Sequence, residues 1–139
     1  MRIACFLDTN VLIYAATAKH DDPPKFAIAE RIVGSELFGV SGQVLAEFYV
    51  NVLTKPAVPL SDDEAERWVD FLSMYPVAAV DDTIVRQGIA YARKFRIKYW
   101  DAAIIAAAEH LDAPILYTED LNHGQLYGSV RVVNPFRPN

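Results

Sequence analysis

The sequence predicts an α/β fold, a parallel β-sheet covered by helices on both faces, and two observations carry that expectation. Short apolar runs alternate along the chain with amphipathic stretches of ten or more residues. Parallel strands need crossover connections of that length, whereas antiparallel neighbours do not. The second observation is composition. With 139 residues, 53% of them hydrophobic and 22% charged, the chain has the size and apolar content of one compact domain that buries its core without disulfides. A single domain over 1–139 is expected.

The elements follow in order. Ile3 to Leu7 is an apolar run that stops at Asp8-Thr9-Asn10, the pattern of a buried strand ending in a helix cap. Val11, Leu12 and Tyr14 carry the helix to a break at His20-Asp21-Asp22-Pro23, and Pro23 or Pro24 then starts a second helix that Gly34 ends. Leu37 to Val40 is the second strand. Ser41-Gly42 opens a helix with Val44, Leu45, Phe48 and Val52 on its buried side, closed by Pro56 and Pro59. Ser61-Asp62-Asp63-Glu64 has the spacing of a capping box, followed by Trp68, Phe71 and Leu72 at helical intervals. Val77 to Val80 is strand three, and Asp81 or Asp82 caps a helix running to about Phe95. Tyr99-Trp100-Asp101 opens the last helix, through Leu111; Pro114 to Tyr117 and Ser129 to Val133 are the fourth and fifth strands.

Several classes of function are excluded at this level. No run approaches the roughly 18 apolar residues of a membrane span, and Asp8 arrives too early for the apolar segment of a signal peptide. A soluble, cytoplasmic protein is expected, without a membrane partner. Cys5 is the sole cysteine and sits in an apolar run, so neither an internal disulfide nor a thiolate metal cluster is possible. A net charge of −5 argues against holding nucleic acid by bulk basicity. Any nucleic acid must be recruited locally, and Arg86, Arg93, Lys94, Arg96 and Lys98 form one basic segment that is a candidate for it. A solvated helix face explains the same segment.

Among the 18 acidic residues, Asp62, Asp63, Asp81 and Asp82 fall in first helical turns, where the helix dipole favours anions. Four others have unusual surroundings. Asp8 ends an apolar strand, Glu47 shares a helix face with Val44 and Phe48, Asp101 opens an alanine-rich helix, and Asp120 closes Leu116-Tyr117-Thr118-Glu119. A carboxylate in apolar framework is costly unless paired, hydrogen-bonded or bound to a cation. In open parallel sheets the ligand crevice lies outside the carboxyl ends of the strands, which points at Asp8 and at the residues after Tyr117. Two readings stand: helix caps and solvated acids, or a shared cation site.

Four segments resemble one known family. Phe6-Leu7-Asp8-Thr9-Asn10-Val11-Leu12, Ser41-Gly42-Gln43-Val44-Leu45-Ala46-Glu47-Phe48, Tyr99-Trp100-Asp101-Ala102-Ala103-Ile104 and Leu116-Tyr117-Thr118-Glu119-Asp120-Leu121 occur in the order and at the separations of PIN-domain nucleases, and within them of VapC-like toxins. The resemblance implies a five-stranded sheet in the order 3-2-1-4-5, a metal-dependent endoribonuclease, and an acidic quartet of Asp8, Glu47, Asp101 and Asp120. It also implies a small antitoxin partner that inserts an Arg or Lys into the acidic site, and a homodimer. Thr118-Glu119-Asp120 matches the family's Thr-x-Asp pattern, so the resemblance favours Asp120 over its neighbour Glu119 as the fourth acid.

Oxygen ligands, with no Cys and no paired His, select Mg²⁺ or Mn²⁺ over zinc. Thr9, Asn10, Ser41 and Thr118 stand close in sequence to the four acids, and their short polar side chains suit orienting ligands or touching the scissile phosphate. His20, His110 and His123 are isolated, with His123 near enough to Asp120 to reach a substrate phosphate. The same chemistry would serve a phosphatase or a DNA nuclease, and a non-catalytic RNA- or protein-binding module is the alternative outside enzymes.

Overall fold

A computed structural model describes residues 2–138; the outermost limits of the expected domain, 1 and 139, lie outside the described residues. Its strands are β1 (Cys5–Leu7), β2 (Phe38–Ser41), β3 (Val77–Ala78), β4 (Ile115–Tyr117), β5 (Leu126–Tyr127) and β6 (Val130–Val133). Its helices are α1 (Thr9–Thr17), α2 (Pro23–Ser35), α3 (Gly42–Val52), α4 (Asp62–Leu72), α5 (Asp82–Phe95) and α6 (Tyr99–His110).

The sheet order is β3-β2-β1-β4-β6-β5, and every pairing is parallel except that of β5 with β6. The expected order 3-2-1-4-5 is therefore present, with β6 as the fifth parallel strand. The difference is β5, a two-residue antiparallel addition that turns into β6 through Gly128 at φ 58°. Two residues give no alternating pattern from which to read it.

From β1 the chain steps outward to β2 and β3, then crosses back over the sheet to β4 on the other side of β1. Because such crossovers are right-handed, reversing the direction moves the connecting helices to the opposite face. The helices group accordingly. α1 packs against α2 and α3, and α3 against α4, whereas α5 packs against α6, which lies on the sheet. The strand interiors Cys5, Phe6, Leu7, Phe38, Val40, Leu116, Val130 and Val132 are almost wholly buried.

Composition explains α6. Ala102 through Ala108 are all buried, because this helix is covered by the sheet on one side and by α5 on the other. A Cβ at Gly88 of α5 would lie 3.3 Å from the Ala103 Cα, so small residues on both helices permit the close approach. No helix among the described residues is long and apolar enough to cross a membrane.

The caps fall where the sequence puts them. Ser61 and Glu64 form the reciprocal capping box, Asp81 rather than Asp82 caps α5, and Ser41 caps α3 by accepting from the Val44 N–H at 3.2 Å. Asp8 caps α1, but Asp101 lies inside the first turn of α6, whose cap position is Lys98.

Candidate active site

The carboxyl ends of β1 and β4 lie side by side, with Leu7 in register with Tyr117. Pairing extends past both strands: the Asp8 N–H donates to the Tyr117 carbonyl at 3.1 Å, and the Thr118 N–H to the Val133 carbonyl at 3.1 Å. This is where the strand order reverses, so no crossover helix fills the space above it.

Asp8 and Thr118 are consequently neighbours. The Thr118 hydroxyl donates to Asp8 Oδ2 at 2.7 Å, and the Thr9 N–H donates to Asp8 Oδ1 at 2.7 Å. Asp8 is 7% exposed and Thr118 is fully buried. A carboxylate offers about four acceptor positions, so two protein bonds leave room for a further ligand. Capping and ligand binding are compatible in this residue.

Thr118 also builds the turn that delivers Asp120. Its Oγ1 accepts from the Asp120 N–H at 3.1 Å and from Asn10 Nδ2 at 3.3 Å, while the same Asn10 amide donates to Asp120 Oδ2 at 3.1 Å. Asn10 Oδ1 is buried and lacks a hydrogen-bond partner among the described residues. Such an orphan acceptor costs about 1–3 kcal/mol, which a cation or water ligand would recover.

Glu47 reaches the same space from α3. Its Oε1 accepts from the Thr9 hydroxyl and from Gln43 Nε2, each at 3.3 Å. Gln43 Nε2 also donates to the Trp100 carbonyl at 3.2 Å, which ties α3 to the first turn of α6 and therefore to Asp101. Asp8, Glu47, Asp101 and Asp120 all line one cavity of about 210 Å³. The structure thus brings together all four acids singled out in the sequence.

Of the short polar residues, Thr9 and Asn10 line that cavity. Thr118 acts beneath it through Asp8, and Ser41 is buried at the α3 cap. Glu119 faces elsewhere, because its carboxylate accepts from the Tyr14 hydroxyl at 2.6 Å and pairs with Lys25 Nζ at 3.0 Å. Lys25 in turn sits over the Tyr14 ring, 4.7 Å from its centroid. In the basic segment, Arg96 and Lys98 line a neighbouring cavity that includes Asp101 and Asp120, while Arg86, Arg93 and Lys94 are exposed on α5. His20 and His110 are exposed, and His123 accepts from the Asn134 N–H at 3.0 Å beside a different cavity.

Residues not anticipated from sequence also line the acid cavity: Gln43, Asn51, Lys55 and Trp100. The signal was present for three of them. Gln43, Asn51 and Lys55 stand four before, four after and eight after Glu47, on the same helical face or its extension.

Electrostatics set the chemistry of the pocket. Burial pushes Asp8 up to about 6, the charges of Asp120 and Glu47 add to the effect, and the bonds from Thr118 and Thr9 oppose it. Asp101 is raised as well, first by burial and then by Asp120 and Glu47, against the pull of Lys98. Among the described residues no three acidic, His or Cys side chains form a ready ligand cluster, so the four acids share a cavity without meeting at one point. The donors nevertheless fit a hard divalent cation, being carboxylate oxygens beside an unpartnered amide oxygen.

Known proteins place the fold. No curated protein matches the sequence. The VapC20 toxin of Mycobacterium tuberculosis, described as cleaving the sarcin-ricin loop, superposes with a TM-score of 0.67 at 17% identity, covering 84% of this chain and 89% of that one. A toxin–antitoxin complex from Klebsiella pneumoniae gives 0.68 at 20% identity over 94% and 97% of the two chains. VapBC2 of Rickettsia felis, bound to a fragment of its promoter DNA, gives 0.62 at 20% over 92% and 96%. These likenesses are ones of fold, to toxins of toxin–antitoxin complexes. Residues 5–128 match the PIN domain model, so nearly the whole of the sheet and its helices lies within it, and the chain belongs to the PIN domain family.

Proposed function

We propose that this chain is a cytoplasmic, divalent-metal-dependent endoribonuclease and the toxin of a type II toxin–antitoxin pair. The observation that carries the reading is the convergence of Asp8, Glu47, Asp101 and Asp120 on one cavity, from β1, α3, α6 and the turn after β4. Four carboxylates in one pocket are mutually destabilising and serve no adhesive purpose, but they suit a Mg²⁺ or Mn²⁺ site.

In this reading Asp8, Glu47, Asp101 and Asp120 hold the cation. When bound, it supplies Lewis acidity and neutralises charge developing on phosphorus. The protein residues do the positioning. Thr118 and the Thr9 N–H orient the two oxygens of Asp8, while Thr9 and Gln43 hold one oxygen of Glu47. Asn10 steadies Asp120 through its Nδ2. Water that attacks an RNA phosphodiester is oriented among these oxygens.

The acidic cavity also suits inhibition by a small antitoxin that presents an Arg or Lys side chain, since a guanidinium or ammonium matches the carboxylates in place of the cation. The Klebsiella pneumoniae relative is a toxin–antitoxin complex, which supports a partner of that kind. A homodimer is part of the same proposal.

The test is cleavage of total RNA by the purified protein with Mg²⁺, Mn²⁺ or EDTA, beside Asp8→Asn. Internal cuts that need the metal and vanish in Asp8→Asn support the reading. Equal cleavage in EDTA, or by Asp8→Asn, rejects it. Single-stranded DNA and a phosphomonoester, run in parallel, separate a ribonuclease from a DNA nuclease or phosphatase.

A further inference from the structure

We infer that the apolar cavity walled by Trp100, Val80, Gly42 and Ala46 is a stacking slot for one unpaired nucleobase beside the bond to be cut. The inference rests on the nuclease reading and deepens it by naming the residue that would grip a base of the substrate.

The slot is continuous with the acid cavity. The two share Gln43, Glu47 and Trp100, so a base in one places its own phosphate near the other. Its volume, about 530 Å³, falls within the roughly 300–1,000 Å³ of small-molecule sites. Trp100 is 63% exposed and Val80 45%, an apolar surface left in water next to a polar site. The other walls are a glycine and an alanine, which leave the approach open.

The backbone beneath Trp100 is anchored where its carbonyl accepts from Gln43 Nε2, and its ring packs edge-to-face with the Tyr99 ring at 5.1 Å. An aromatic face at this position can stack on a base, and every base has a face to offer. Such a platform cannot reach a base that is stacked inside a duplex.

On the far side of the acids lies the complementary feature. The cavity lined by Arg96 and Lys98 shares Asp101 and Asp120 with the acid pocket. Those two cations match the next backbone phosphate, giving a path of base slot, acidic centre and phosphate cavity across the first turn of α6. Charge and shape along this path fit a flexible polynucleotide strand.

Binding of a labelled RNA strand to the full chain carrying Asp8→Asn, which prevents cleavage, tests the slot. Trp100→Ala is expected to weaken single-stranded binding about tenfold to a hundredfold, and Trp100→Phe to restore most of it. Ala46→Leu, which fills the slot from an exposed helix position, is expected to act like Trp100→Ala. A fully abasic strand should bind equally with and without the Trp100→Ala change, while Lys98→Gln weakens intact and abasic strands alike. Unchanged affinity in Trp100→Ala, or a preference for duplex RNA, overturns the slot. So does a loss of affinity that merely tracks dissociation of a dimer in sedimentation runs, which assigns Trp100 to a contact between copies. Metal-dependent RNA cleavage by the unmodified chain is scored separately. Cleavage without Trp100-dependent binding defeats the slot alone, and Trp100-dependent binding without cleavage defeats the nuclease reading alone.

Discussion

The hydroxyl of Thr118 donates to Asp8 Oδ2 at 2.7 Å and, through its oxygen, accepts from both Asn10 and the Asp120 N–H. One buried atom thus fixes two acids from opposite ends of the chain. Thr118→Val keeps the shape and removes all three bonds. It is expected to cost about 1–3 kcal/mol in denaturant unfolding and to slow RNA cleavage about 10- to 100-fold. Because the bond favours the Asp8 carboxylate, its loss raises Asp8 further, and the acid limb of the rate profile should move to higher pH. Thr118→Ser should behave almost as wild type.

Asp8 is stabilising as a cap and destabilising as a charge. Asparagine caps as well as aspartate, so Asp8→Asn should leave the metal-free protein as stable as wild type or more so, while abolishing cleavage. Asp8→Ala removes the cap and strands the Thr9 N–H and the Thr118 hydroxyl. Its melting temperature should drop, consistent with a loss of about 1–3 kcal/mol. Unfolding of metal-free Asp8→Asn at temperatures well below wild type would reject this account.

The sign of the pH dependence follows from burial. Asp8 is raised from 3.8 to about 6 on folding, so between these values the folded chain binds the proton that the unfolded chain has released. Stability then decreases as pH rises through that window. Other carboxylates titrate there too, and the clean measurement is the difference between Asp8→Asn and wild type without metal. That difference should grow from about pH 4 to about pH 6 and then level off, reaching roughly 2–3 kcal/mol. Mg²⁺ or Mn²⁺ should shrink it by stabilising only wild type, seen as a rise in its melting temperature.

Adjacent acids should separate cleanly. Asp120→Asn is expected to reduce cleavage at least about 100-fold, because a ligand and its charge are lost. Glu119→Gln should stay within a few-fold of wild type in rate. It breaks a partly exposed pair with Lys25 and should cost no more than about 1 kcal/mol in unfolding. A reversal of these two phenotypes would make Glu119 the fourth acid.

Local chemistry made most of the architecture readable. Most strands that pair in parallel are apolar runs ended by a cap or turn residue, and most helices announce themselves by caps and spacing, as with Ser61 and Glu64, whereas β6 carries Arg131 on its exposed side and α6 has no side-chain cap. β5 escaped because two residues hold no period, and Ala79-Val80 fell outside β3 because the sheet ends before them. In α6 the alanine run reads as apolar from sequence, but only the presence of α5 on one side and the sheet on the other explains why all of it is buried.

The four acids could be chosen from their sequence surroundings and from the ordered motifs, since a carboxylate at the end of an apolar strand or on a buried helix face demands a partner wherever it lies. Their meeting could not be derived from spacing. It depends on the reversal of strand order at β1, which opens a space above Asp8, and on Gln43 linking α3 to α6 across that space. The same tertiary contacts turn Glu119 toward Lys25, Asp120 toward the pocket, and Trp100 onto its rim. Residue chemistry along the chain determines which groups are costly alone; three-dimensional packing decides which of them share that cost in one place.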